Sequence, residues 1–84
     1  MPFRVESTEL AAEKFRKLDK EVRRRIVRKL REVAANPRRS VSPLRRIGAF
    51  KIRVGDYRLI ADIDWGEEVM YVLTLGHRST IYRQ

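Results

Sequence analysis

Lys51, Arg53 and Arg58 lie within FKIRVGDYRLI, residues 50–60, and a further arginine and a tyrosine follow in GHRSTIYR, as Arg78 and Tyr82. Alternation around Gly55-Asp56 predicts a β-hairpin with a two-residue turn, which sets Val54 opposite Tyr57, Arg53 opposite Arg58 and Ile52 opposite Leu59. Lys51, Arg53 and Arg58 then share one face, and the acid on that face of the hairpin, Asp62, stands well along from the arginine pair. Like charges facing one another across strands cost roughly a few tenths of a kcal/mol. A cluster that accepts this repulsion suits an anion. A last strand antiparallel to the middle one brings Arg78 and Tyr82 to the same end, and guanidinium groups around a phenol fit a phosphate and the charge that develops on it. The chain has no cysteine and a single histidine, His77. Without a carboxylate pair in the cluster, metal-dependent hydrolysis and a Ser-His-Asp triad are poorly supported. No metal and no cofactor is expected. His77 differs in parity from Arg78 and reads as a packing or hydrogen-bonding residue.

The elements that must hold this cluster are legible in the same way. Phe3-Arg-Val5 alternates as a short first strand. Ser7 or Thr8 offers an N-cap, Glu9 follows in the first turn, and Leu10, Ala11, Phe15 and Leu18 form a helical stripe. Asp19 reads as a second cap, before a helix in which Val22, Ile26, Leu30 and Val33 recur with Val27 and Ala34 beside them, and Asn36-Pro37 ends it. Residues 37–49 hold two prolines and a glycine and read as a loop. Strands are expected at about 50–54, 57–63 and 69–75, the last two joined through Asp64-Trp-Gly-Glu67. Phe50, Ile52, Val54, Tyr57, Leu59, Ala61 and Ile63 share the apolar face, which Val69, Tyr71, Leu73 and Leu75 are expected to extend. The result is an α+β domain of order β-α-α-β-β-β, spanning residues 1–84. A short strand and a helical hairpin pack on an antiparallel, strongly twisted sheet.

Leu44 and Gly48 after Asn36-Pro37, then RVGDYRLI and LGHRSTIYR, make the chain resemble the RelE branch of the RelE/ParE toxin superfamily, over nearly its whole length. RVGDYR followed some twenty residues later by GHR and a tyrosine is a specific combination. The resemblance implies a toxin of a toxin–antitoxin pair that enters the ribosomal A site. It implies metal-independent cleavage of messenger RNA by attack of a ribose 2′-hydroxyl on its own phosphate. Lys51, Arg53, Arg58, Arg78 and Tyr82 fall on the family's catalytic positions. Arg58 and Arg78 would stabilise the transition-state charge, Lys51 and Arg53 would hold the flanking backbone, and Tyr82 would take the 2′-hydroxyl proton or stack on a base, with Lys51 as the rival for proton transfer. The interval from Arg78 to Tyr82 is shorter than in some relatives, and no glutamate lies between Glu32 and Glu67 to supply the Glu/His pair that others use.

Lysine and arginine number 20 against 11 acids, a net charge of +9. The first 42 residues hold 13 of the cations and 6 of the acids. An anionic partner is the first expectation. The second helix carries Arg23, Arg24, Arg25, Arg28, Lys29 and Arg31 around its apolar stripe, and these, with Arg45 and Arg46 of the following loop, would meet RNA or ribosomal phosphates. The resemblance adds a cognate acidic, RelB-like antitoxin and a toxin–antitoxin hetero-oligomer. The absence of cysteine, of a signal-like leader and of any run near the roughly 20 apolar residues that span a bilayer points to the cytoplasm, without a membrane partner. Two other functions compete: a ParE-like toxin that poisons gyrase without cutting RNA, and a non-catalytic basic nucleic-acid-binding domain.

Overall fold

The chain runs β1 (Arg4–Ser7), α1 (Glu9–Arg16), α2 (Lys20–Ala35), α3 (Pro37–Ser40), β2 (Ser42–Pro43), β3 (Phe50–Val54), β4 (Tyr57–Asp64) and β5 (Val69–His77). The computed structural model describes residues 2–40, 42–43 and 49–80. α1 starts at Thr8, whose extended backbone lets Oγ1 accept from the Ala11 N–H at 3.1 Å, satisfying one of the donors a helix start leaves over. The same hydroxyl donates to the Leu73 carbonyl at 2.6 Å, and the Thr8 N–H donates to the Val72 carbonyl at 3.0 Å. One residue therefore caps a helix and fastens it to β5. Asp19 precedes α2 as expected, but its side chain makes no capping bond; its carbonyl accepts from the Arg23 N–H instead. Asn36 closes α2, its N–H shared between the Glu32 and Val33 carbonyls.

Two short elements occupy part of the segment that reads as loop in the sequence. Pro37 opens α3, a position that requires no N–H and suits its fixed φ. Pro43 sits in the edge strand β2 opposite Phe50, with Ser42 opposite Lys51, where a missing donor is tolerated. The sheet order is β1-β5-β4-β3-β2. It is mixed rather than uniformly antiparallel, because β1 pairs parallel with β5, the helical hairpin and the β-meander together supplying the long connection that parallel pairing demands.

The β3–β4 hairpin has the expected register, with Val54 opposite Tyr57, Arg53 opposite Arg58 and Ile52 opposite Leu59. Gly55 has φ +57°, and among the described non-glycine residues only Glu68, in the next turn, has a positive φ. Positive φ at the first central residue alone is the pattern of a II′ turn, whose twist matches the strands it joins. β5 departs from simple alternation. Its register shifts between Ile60 and Ala61 of β4, Ile60 facing Thr74 and Ala61 facing Val72, so that Leu73 is the extra residue of a bulge. Met70, Val72 and Leu75 consequently join the core, whereas Tyr71 is exposed and Leu73 packs with Ala49 and Ile60 in a separate small cluster.

Ile26 and Val33 of α2 meet Ile52, Leu59 and Met70 of the sheet at the centre of that core. All five are essentially inaccessible, and each contributes about 1.5–3 kcal/mol by leaving water. Leu10 and Val27, assigned to the helical stripes by sequence, are instead 51% and 37% exposed. They leave apolar surface uncovered on the helical layer. At the end of the sheet away from Gly55, Trp65 meets Phe3 and Phe50 edge to face at 5.7 and 6.0 Å, with the Arg38 guanidinium 4.6 Å from its ring centre.

Candidate functional site

Two of the predicted cations, Arg58 and Arg78, reach the Gly55-Asp56 turn. Arg58 follows the turn in β4 and is only 7% exposed. Its Nη1 donates to the Gly55 carbonyl at 2.8 Å and to the Tyr57 carbonyl at 2.9 Å, so the guanidinium folds back over the turn that positions it. Gly76 stands opposite Arg58 in β5 and brings no side chain to compete for that space. Arg78, just beyond β5, reaches the same turn from the other side. Its N–H donates to the Asp56 carbonyl at 2.7 Å, and its Nε lies 3.8 Å from Asp56 Oδ1. Both partners of that ion pair are well over half exposed, so the pair is worth at most about 1 kcal/mol. The backbone bond is the firmer anchor. Of the two guanidinium groups, that of Arg58 is held by the turn carbonyls, while Arg78 is held there through its backbone.

Lys51 and Arg53 occupy the β3 side of the hairpin. Lys51 is half-buried opposite Ile60, and Arg53 is exposed opposite Arg58. Arg53 also lines a cleft between β3 and α2 together with Arg25, Arg28 and Lys29. The basic helix is therefore not one face: Arg28 and Lys29 look toward β3, while Lys20, Arg23, Arg24 and Arg31 line a second depression near Phe15 that Arg28 also borders. Arg24 and Lys29 are partly neutralised, lying 3.8 Å from Glu21 and 3.9 Å from Glu32. Tyr82, Arg45 and Arg46, with Leu44 and Gly48, lie outside the described residues.

Two further side chains lie at the turn. Tyr57, placed with the apolar face by alternation, is half-buried, and its ring meets His77 edge to face at 5.5 Å. Arg25, one of three consecutive arginines, carries its Nη2 to within 2.5 Å of where a Cβ on Gly55 would stand. Nothing in the helical pattern distinguishes it from its neighbours. His77 itself is a hydrogen-bonding residue: Nδ1 accepts from the Ser79 N–H at 3.2 Å and lies 2.9 Å from Ser79 Oγ. A backbone N–H can only donate, so the neutral ring keeps its proton on Nε2. Among the described residues, no three His, Cys, Asp or Glu side chains come together as a metal site would require.

This arrangement, a helical hairpin over a mixed sheet with cations gathered at one hairpin turn, has close relatives. The family described as ParE toxin of type II toxin-antitoxin system, parDE, matches residues 5–82. The chain belongs to the RelE/ParE toxin superfamily. Its relatives carry RelE-type names. Toxin RelG of Mycobacterium tuberculosis is 33% identical over 87 residues, covering 100% of both chains. The RelBE2 toxin-antitoxin complex of the same organism contains a chain that superposes with a TM-score of 0.85 at 31% identity, over 93% of this chain and 100% of that one. The isolated RelE toxin of E. coli gives 0.78 at 30%, over 96% and 92%. No described helix is long and apolar enough to cross a membrane.

Proposed function

We propose that this protein is the toxin of a RelBE-type pair and cuts messenger RNA in the ribosomal A site. The observation that carries the proposal is the convergence of Arg58 and Arg78 on the two residues of the Gly55-Asp56 turn. In this reading the scissile phosphodiester lies over the turn. The neighbouring ribose 2′-oxygen attacks phosphorus and its proton passes to Tyr82 or Lys51, the P–O5′ bond breaks, and the 5′-oxygen takes up a proton as it leaves, giving a 2′,3′-cyclic phosphate and a 5′-hydroxyl. Negative charge accumulates on the non-bridging oxygens as the fifth bond forms, and guanidinium groups already in position stabilise that state more than the ground state. Lys51 and Arg53 would hold the strand on either side, and the ribosome would supply alignment of the 2′-oxygen with the leaving group. The mechanism needs no metal and no cofactor.

The test is primer extension on programmed ribosomes. Codon-positioned cuts should appear with wild-type protein and fall by roughly 10²–10³-fold in Arg78→Ala, the scale for removing one preorganised donor to a transition-state oxyanion. Thermal stability should barely change, because the Arg78 side chain is exposed. Intact messenger with folded wild-type protein would remove the proposal.

The partner we propose is an acidic antitoxin, in keeping with the toxin–antitoxin complex among the structural relatives. Apolar surface around Val5, Val27 and Leu30, beside the edge strand β1 with its four exposed residues, is the kind of face on which such a chain can lay apolar residues. The ParE description of the matching family favours one other reading, a gyrase poison. Gyrase-dependent DNA breaks with unaffected translation would establish that reading in place of RNA cleavage.

A further inference from the structure

The cleft between α2 and β3 is not explained by the cleavage centre. Arg25, Arg28, Lys29 and Arg53 line it, with Glu32 as the acid among its described lining residues and Gly55 at its end. Glu32 lies 3.9 Å from Lys29, and among the described residues Arg25, Arg28 and Arg53 form no ion pair. Three arginines without an ion pair among the described residues thus border a space of about 220 Å³, several times the volume one water occupies in the liquid. Such a grouping lowers stability, and the Arg25 guanidinium is nevertheless brought against the Gly55 backbone. Gly55 also accepts from Arg58 through its carbonyl. The cleft and the cleavage centre therefore meet at a single residue, one on each side of the hairpin turn.

We propose that this cleft is a second phosphate subsite, which holds a backbone phosphate of RNA beside the strand that is cut, with Arg25 as its defining ligand. The proposal rests on the reading of the protein as an RNA-cutting toxin and adds to it a place where RNA is bound without being cleaved. Several arginines around one cleft suit the tetrahedral oxygens of a phosphodiester, which accept from several directions, better than a planar carboxylate, which one fork satisfies. Arg53 joins the two sites, lining the cleft from the strand that also carries Lys51. The phosphate can belong to the substrate strand or to ribosomal RNA.

The experiment measures equilibrium binding across a salt series in two arms, a 12-nucleotide single-stranded RNA alone and ribosomes with an empty A site. Arg25→Gln and Arg28→Gln should each weaken binding about tenfold, and the slope of log K against log salt should fall by about 0.7 in the single-strand arm for each phosphate no longer neutralised. Glu32→Gln should tighten binding several-fold. All three positions lie on the helix surface, and circular dichroism will show the variants folded. Loss in the oligonucleotide arm assigns the subsite to the substrate strand; loss confined to the ribosome arm assigns it to ribosomal RNA. Lys17→Gln removes an exposed cation that does not line the cleft and should leave both arms unchanged. If it weakens binding as much as Arg25→Gln, only net charge is acting and the subsite is refuted. It is also refuted if a glutamate-rich peptide competes as well as RNA, or if wild-type protein binds neither target. Binding with the expected pattern by a protein that cuts nothing would refute cleavage and leave the subsite intact.

Discussion

Gly55 carries two separable constraints, and Gly55→Ala tests both. Its φ of +57° lies in the region where an L side chain costs about 1–2 kcal/mol. The added Cβ would also stand 2.5 Å from Arg25 Nη2 and 3.2 Å from its Cζ. Those atoms are the far end of a flexible side chain, so relief by moving Arg25 should add only about 0.5 kcal/mol. The expected loss is therefore about 1.5–2.5 kcal/mol, or roughly 10 °C in Tm for a domain of this size. Urea unfolding of five proteins, wild type, Gly55→Ala, Gly55→Asn, Arg25→Ala and the Gly55→Ala/Arg25→Ala double variant, separates the parts. Gly55→Asn tolerates the left-handed backbone and should lose much less, whereas Gly55→Ala in an Arg25→Ala background should retain the backbone cost and lose the steric one. RNA binding should weaken in Gly55→Ala beyond what stability explains, because Arg25 is displaced from the cleft. A Gly55→Ala protein within about 0.3 kcal/mol of wild type, inside the error of additive mutational effects, would refute the turn assignment and the contact together.

Arg53→Gln removes the repulsion across the Arg53–Arg58 pair and should raise stability by roughly a few tenths of a kcal/mol while weakening RNA binding, a divergence visible by comparing Tm with affinity. Thr8→Ala deletes both the bond from the Ala11 N–H and the bond to the Leu73 carbonyl, and should cost about 2 kcal/mol; Thr8→Ser should recover most of it in the same urea titration. Ile26→Ala opens a cavity under a fully buried side chain and should cost about 2–5 kcal/mol, seen as a fall in the denaturation midpoint at unchanged m-value.

The hairpin was legible because its two strands alternate without interruption and a two-residue turn leaves one register open. The same reasoning misassigned the first half of β5, where Val69-Met-Tyr-Val-Leu-Thr-Leu75 is apolar at both parities and so conceals the bulge at Leu73. Only pairing with β4 on one side, and the hold of Thr8 on the Val72 and Leu73 carbonyls on the other, distinguishes them. Leu10 and Val27 fit their helical stripes by spacing, yet the hairpin and sheet are too small to cover both. The charges of the candidate site were visible as residue types, but the burial of Arg58 depends on a turn carbonyl and on a glycine eighteen residues away. Arg25 was visible only as one of a run of helical cations, since its place against the turn requires the distance between α2 and the hairpin.

The bulge at Leu73 also divides β5 into two lengths that answer to different demands. Residues before it seat Met70 and Val72 against the helices, and those after it deliver Gly76 opposite Arg58 and Arg78 to the Asp56 carbonyl. Without the extra residue, a strand that kept its core half in place would present its tail upside down. Substitution along β5 is thus a question of volume and polarity, but a one-residue deletion is a question of orientation. It would set a folded core against an assembled site, and no single register could satisfy both.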